Sequence, residues 1–210
     1  GVAFIFFVAK KFKKGIGLYV SLLLIIFYIA LPFIVSNDIH RLDNDTSGLV
    51  VFCKCHLIQA YLDYALSIKE IQREYLAYVE GHIKEGKEYK IEQNLGKDRH
   101  SPSKMRVHSK GIPAVTYYQC LENKEDHALV RCRLETGRKH QIRVHMSSIG
   151  HPILGDEIYG PAKCPYKLQG QTLHAKILGI THPSTGEYIE FDAPLPDYFK
   201  DLLNKLRKQN

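Results

Sequence analysis

The 210-residue sequence predicts an α+β fold, with a mixed, mostly antiparallel central sheet flanked by helices. Three observations lead there. Strand-type and helix-type patterns alternate across residues 38–210, two pairs of strand patterns are joined by short turns, and no repeat or low-complexity stretch interrupts them.

The elements follow in chain order. GLVVFC (48–53) is a short apolar, β-branched run and reads as one buried strand. From His56 to Lys69 the apolar residues Leu57, Ile58, Tyr61, Leu62, Ala65 and Leu66 recur at helical spacing. REYLAYVEG (73–81) alternates and ends on Gly, as a strand entering a turn does. Residues 82–112 are polar and punctuated by Gly86, Gly96, Pro102 and Gly111, which predicts a loop-rich excursion. VTYYQCLEN (115–123) and HALVRCRLET (127–136) form a hairpin pattern. Gln141–Ile149 places Ile142, Met146 and Ile149 on one helical face. LHAKILGITHP (173–183) and EYIEFDAP (187–194) make a second hairpin around Pro-Ser-Thr-Gly, and Asp197 caps a final amphipathic helix, DYFKDLLNKLRK.

Residues 1–36 are atypical. KKFKK (10–14) precedes an uncharged run from Gly15 to Val35, which meets the length and flank criteria of a membrane-spanning helix. The competing reading is a degenerate, buried first strand at AFIFFVA (3–9) and a helix over Leu18–Ile29 that stops before Pro32. The start at Gly1 also leaves room for a segment that is not the native N-terminus. A soluble, cytoplasmic protein without a membrane anchor is the expectation.

Composition narrows the class. Hydrophobic residues make up 45% and charged residues 24%, a globular balance that excludes a disordered or fibrous chain. Five scattered cysteines (53, 55, 120, 132, 164) form no disulfide framework and point to a reducing compartment. The net charge of +7 is compatible with a polyanionic partner. Residues 1–37 hold four lysines and no acid, however, leaving 25 of the 29 basic residues against all 22 acidic ones in the body. Cys53-x-Cys55-His56 lacks a second matching pair and His140 and His145 are spaced i,i+5, so no metal site is expected.

Two polar clusters stand out. HRLDNDTSGL (40–49) places Arg41, Asp43 and Asp45 in a loop before a buried strand, which suits presentation of a catalytic acid. Turn chemistry of the Asx and Ser/Thr side chains accounts for all of it except Arg41. LETGRKHQIRVH (134–145) gathers basic groups where a strand becomes a helix, a setting suited to phosphate and equally found at a solvated helix start. Tyr75 and Tyr78 point to opposite faces of their strand, so one can meet a ligand while the other packs.

In this order, HRLDNDTSGL, REYLAYVEG, LETGRKHQIRVHMSSIGHPILGD and LHAKILGITHPSTGE with FDAPLP resemble the successive motifs of the RluA-type family of RNA pseudouridine synthases. The resemblance covers about residues 37–196 and implies a catalytic domain over 37–205 with the pseudouridine synthase fold, no cofactor and no metal. It implies isomerisation of chosen uridines in structured RNA, ribosomal or transfer. By the same resemblance Asp43 acts at the ribose, as nucleophile at C1′ or base at C2′. Tyr75 stacks on the target base, Arg143 pairs with the aspartate, and Arg41 enters the RNA and helps hold the nucleotide out. Arg138, Lys139 and His140 are then expected at phosphates. A stand-alone catalytic domain acting as a monomer, without the S4-like domain of many relatives, is the expected organisation. AKKFKKGIGLYV replaces the family's Lys-Pro-x-Gly-type motif, and a catalytically silent RNA-binding protein of the same fold is the alternative.

Overall fold

The computed structural model describes residues 6–7, 37–53, 56–161, 164, 166 and 168–208. The predicted helix over Leu18–Ile29 and the uncharged run Gly15–Val35 lie outside these residues. Among the described residues no helix is long and apolar enough to cross a membrane.

The element order is β1 (Phe6–Phe7), β2 (Asn37–Asp38), β3 (Ser47–Gly48), β4 (Val51–Cys53), α1 (His56–Ser67), β5 (Gln72–Glu80), β6 (Glu88–Lys97), β7 (Met105–Val107), β8 (Ile112–Lys124), β9 (His127–Leu134), α2 (Gln141–Ser148), β10 (Leu173–Thr181), β11 (Tyr188–Asp192) and α3 (Asp197–Lys208). An eight-stranded sheet runs β11-β10-β5-β9-β8-β6-β7, with β3 added beside β10. Every pairing in it is antiparallel except that of β3 with β10. A small sheet, β1-β4-β2, stands apart. The mixed, mostly antiparallel sheet with helices against it is the fold class read from the sequence.

Two expectations need correction. The polar stretch 82–112 is not a loop: it holds β6 and β7, which pair in register with Leu95 opposite Val107, and the first residue of β8. Only Ile91 and Leu95 of β6 are buried, so its alternation is too sparse to read. The run 48–53 is not one strand but two, in different sheets. Gly48 breaks it, with φ at +113° and its backbone so close to β10 that a β-carbon would stand 2.2 Å from the Ala175 carbonyl oxygen.

Among the described residues four apolar clusters hold these layers, the smallest formed by Leu95, Ala114 and Val144. Tyr75, Ala77, Val79, Val130, Cys132, Ile142 and Met146 pack α2 onto the sheet. Leu62 and Ala65 of α1 meet Val51, Leu178 and Ile180. Phe199, Leu202, Leu203 and Leu206 of α3 cover Tyr78, Leu129 and Leu154. The predicted helical spacings therefore face the core, where a fully buried Leu or Phe contributes about 1.5–3 kcal/mol.

Buried histidines make this core sensitive to acid. Thr116 Oγ1 accepts from Gln141 Nε2 at 2.9 Å and so gives its own proton to His145 Nδ1, also 2.9 Å away. Ser47 Oγ donates to His174 Nδ1 at 2.8 Å, while His174 Nε2 faces the Ala193 carbonyl at 3.3 Å. Burial pushes both imidazoles down to about 4 from an ordinary 6.5. Because the folded values are depressed, their contribution is complete above pH 6.5 and is lost as the pH falls toward 4. Urea unfolding should therefore show a free-energy loss on the order of 3 kcal/mol per group across that window. His145→Gln should flatten the profile; one as steep as that of the wild type would remove His145 from the account.

Candidate active site

The loop 40–46, strand β5 and the turn 134–141 enclose an open cleft of about 1330 Å³. Drug-sized ligands are enclosed by about 300–1,000 Å³, so this space suits part of a polymer. Asp43 and Tyr75 line it together with Arg41, Arg138 and Lys139.

The acidic loop is built by backbone geometry. The Thr46 amide donates to the Asp43 carbonyl at 3.1 Å, and Asp45 takes a left-handed φ of 65°. Gln171, 3% exposed, clamps the turn by donating to the Asn44 carbonyl at 2.5 Å and to Thr46 Oγ1 at 3.0 Å. The Asp43 side chain is thus held by its backbone and left 14% exposed in the cleft. Turn chemistry and presentation of an acid coexist in this loop.

The turn before α2 is pinned in the same way. Gln141 Oε1 accepts from Thr136 Oγ1 at 2.7 Å and from the Arg138 amide at 2.9 Å. Its Nε2 donates to the Val115 carbonyl and to Thr116 Oγ1. All four polar positions of the amide are used, so the turn and the helix start are fixed to β8. The Arg138 side chain is exposed, and among the described residues it is anchored through its Nε, which donates to the Pro113 carbonyl.

Arg143 projects from the first turn of α2 into a pair of carboxylates. Its Nε and Nη2 donate to Asp156 at 2.7 and 2.8 Å, a bidentate pair. Its Nη1 reaches to within 3.7 Å of Asp43 Oδ2. That separation is an ion pair without a hydrogen bond, so Asp156 orients the guanidinium and Asp43 faces its free side. The Tyr159 ring lies against the same guanidinium, 5.1 Å from its carbon. Burial works to raise the Asp156 carboxyl, but the hydrogen bonds and charge of Arg143 outweigh it and hold the group below its ordinary value. For Arg143 burial works downward, and the two aspartates leave it raised.

Tyr75 lies on β5, 6% exposed, with its hydroxyl pushed up to about 12, first by burial. It is a neutral aromatic surface in the cleft wall. Tyr78, on the opposite face, is packed under α3.

The structure thus brings Asp43, Tyr75 and Arg143 to one place, with Arg41, Arg138 and Lys139 around it. His140 does not join them. It is the left-handed N-cap of α2 (φ 55°), only 9% exposed, with Nδ1 at 2.8 Å from the Tyr159 hydroxyl. That hydroxyl also accepts from the Met105 amide at 2.7 Å, tying the β6–β7 hairpin to the site. Burial lowers the His140 pKa, so an ordinary role as a cation at phosphate is not what its surroundings favour. Three supporting residues escaped sequence reasoning: Asp156, Gln141 and Gln171. The signal for Asp156 was within reach in HPILGD, since an acid after Gly in an apolar setting needs a buried partner.

Among the described residues no group of three His, Cys, Asp or Glu side chains could hold a metal ion.

Comparison with known proteins gives a consistent picture. Residues 37–148 match the family model described as RNA pseudouridylate synthase. An uncharacterised RNA pseudouridine synthase of Bacillus subtilis is 45% identical over 170 residues, covering 81% of this chain and 55% of that protein. The ribosomal large subunit pseudouridine synthase D of Haemophilus influenzae is 42% identical over 184 residues, covering 82% of this chain and 56% of its own length. The chain thus spans little more than half the length of these relatives. Among solved structures, human RNA pseudouridylate synthase domain containing 1 superimposes with a TM-score of 0.65 at 26% identity, over 82% of this chain and 80% of that one.

Proposed function

The chain belongs to the RNA pseudouridylate synthase family, and we propose that it isomerises specific uridines in structured RNA, with residues 37–205 as the catalytic domain. The observation that carries this reading is the Asp43 carboxylate, which lines an open cleft beside Tyr75 and is backed by the free side of a buried, anchored Arg143. A carboxylate must be ionised to act at the ribose, and an adjacent cation favours that form. A uridine inside folded RNA is out of reach, so it has to be extruded and received by an aromatic surface. Tyr75 offers that surface, Arg41 stands at the mouth of the cleft to hold the nucleotide out, and Asp43 attacks C1′ or removes the C2′ proton. A binding module without activity has no use for an oriented Arg–Asp pair of this kind. The relative named for the large ribosomal subunit favours ribosomal over transfer RNA as the substrate. We place the activity in the cytoplasm, in a monomer that needs no cofactor.

The flanking RNA has a basic surface to follow. Residues 97–110, from the end of β6 through β7 to the turn beyond it, carry Lys97, Arg99, Lys104, Arg106 and Lys110 against the single acid Asp98. Together with the exposed Arg138 and with Lys139 they form a surface for phosphates, which position the RNA without specifying sequence. Arg138→Ala should weaken binding on every RNA and lower the slope of log K against log salt by about one. A salt slope equal to that of the wild type would take Arg138 off the phosphate surface.

Pseudouridine mapping of total RNA from source cells with and without the gene tests the activity itself. A site lost on deletion and restored by the gene establishes the reaction and names the RNA. A purified protein that forms no pseudouridine in bulk ribosomal or transfer RNA would overturn the proposal.

A further inference from the structure

Arg73 differs from the other buried charges of the cleft. It is 5% exposed, yet no carboxylate among the described residues pairs with it, and its Nε has no hydrogen-bond partner. Arg143, equally buried, is by contrast bound twice by Asp156. The carboxylates that share the cleft, Asp43, Asp45, Asp63 and Glu135, form no ion pair with Arg73, and none is among the charges that act on it. His40 is pushed down to about 4, first by burial and then by the charge of Arg73 itself, and so is neutral. Gly137 passes so close that a β-carbon there would stand 2.6 Å from Arg73 Nη1. Burying a guanidinium without an acid is strongly unfavourable, and such a group is retained where a ligand supplies the missing acceptor.

Its place in the cleft says which acceptor. Arg73 and Tyr75 are two residues apart on β5 and project on the same face. β3 runs parallel to β10 with Gly48 opposite Ala175, which itself stands opposite Tyr75. The Asp43 loop that leads into β3 therefore lies toward the Leu173 end of β10, whereas Arg73 stands opposite Leu178 on the far side of Tyr75. The order along the wall is therefore Asp43, Tyr75, Arg73. With the ribose at Asp43 and the base on Tyr75, Arg73 meets the edge of the base remote from the sugar. The exposed Arg41 and Arg138 suit phosphates at the rim, and Arg73 lies too deep for that task.

We propose that Arg73 donates a hydrogen bond to the carbonyl oxygen at the far edge of the extruded uracil and holds the charge that the base acquires during the reaction. This rests on the isomerase reading above. On either route for Asp43 the N1–C1′ bond breaks and its electron pair leaves with the uracil, which becomes an anion delocalised onto its carbonyl oxygens. Joining C5 to C1′ uses the electrons of that anion, either displacing the Asp43 carboxylate from C1′ or adding to C1′ as Asp43 returns its proton to C2′; the C5 proton is then released and N1 takes up one proton. No oxidant, reductant or further reactant is needed. A fixed donor aimed at an oxygen where charge develops contributes to rate and adds little to ground-state affinity.

The test uses an RNA hairpin carrying the uridine found by mapping, with uridine or 4-thiouridine at that position, under single-turnover conditions at saturating enzyme. Arg73→Met should slow the uridine reaction about 10²–10³-fold, with RNA affinity and salt slope unchanged. The wild type should penalise the poorly accepting sulfur, and Arg73→Met should have lost that penalty. Arg73→Lys, which keeps the charge but not the planar fork, should fall between them; it carries the comparison alone if Arg73→Met does not fold. Equal penalties in wild type and variant would overturn the proposal, as would weaker binding with a reduced salt slope and an unchanged saturating rate, the signature of a phosphate contact. A wild type active on uridine that shows either result loses only the role of Arg73. A wild type inactive on uridine loses the isomerase reading and this proposal with it.

Discussion

Asn in place of Asp43 should abolish pseudouridine formation, by at least about 10⁴-fold in saturating rate, while RNA affinity stays nearly unchanged. The substitution is nearly isosteric, and the loop does not depend on the side chain. The turn is closed by the Asp43 carbonyl and the Thr46 amide and clamped by Gln171. Removing the charge does not orphan Arg143, because Asp156 already holds two of its donors. What disappears is the ionised oxygen that acts at the ribose, for which an amide is no substitute. Single-turnover assays with a filter-binding control separate chemistry from binding. Turnover that survives in the variant would show that another group acts at the sugar. A variant that no longer folds would make Asp43 a structural residue.

Asp156→Ala should be the most damaging change to stability. Arg143 sits 4% exposed at the side chain and Asp156 0%, so the pair is desolvated. Breaking such a pair by removing one partner costs about 3–5 kcal/mol, since the remaining charge is left buried and uncompensated. Asp156 also accepts from the Ile158 and Tyr159 amides at 2.9 and 3.0 Å, so the loop that carries Tyr159 loosens with it. Freed of its anchor, Arg143 would turn onto Asp43 and neutralise the carboxylate that the reaction needs free. Urea unfolding should show the loss, and turnover of the folded fraction should fall as well. Asp156→Asn keeps the shape and the amide contacts and isolates the charge. Stability within about 1 kcal/mol of the wild type in the Ala variant would mean that Asp43 alone can hold Arg143.

Much of this was legible in the sequence because local periodicity and burial agreed. The helical spacing of Leu62, Ala65 and Leu66, the amphipathic run from Asp197, and both hairpins are present within three residues of their expected limits, the largest difference being the start of β8 at Ile112 rather than Val115. The strands that were missed or merged are those where the local signal is weak or misleading. Glu88–Lys97 buries only Ile91 and Leu95, and its outward residues are polar enough to resemble a loop. Gly48–Cys53 carries no polar side chain, and nothing local says that the chain divides there between two sheets.

The sequence by itself determined the α+β class, the family motifs and the identity of the chemically capable side chains, because residue type and spacing are local properties. Only the tertiary structure decided how they are used. Asp43, Tyr75 and Arg143 lie on three separate segments and meet through β3 and β5, both paired with β10, and through α2 packed on the sheet. Asp156 was passed over because its importance lies in a bidentate bond to a residue on another element. His140 reads as a basic neighbour of Arg138 and Lys139 but turns inward, since a left-handed φ at the helix cap directs its ring to Tyr159. Whether a charge is a solvated cation, an anchored partner or a buried donor awaiting an acceptor depends on what the fold packs around it, and that is a non-local fact.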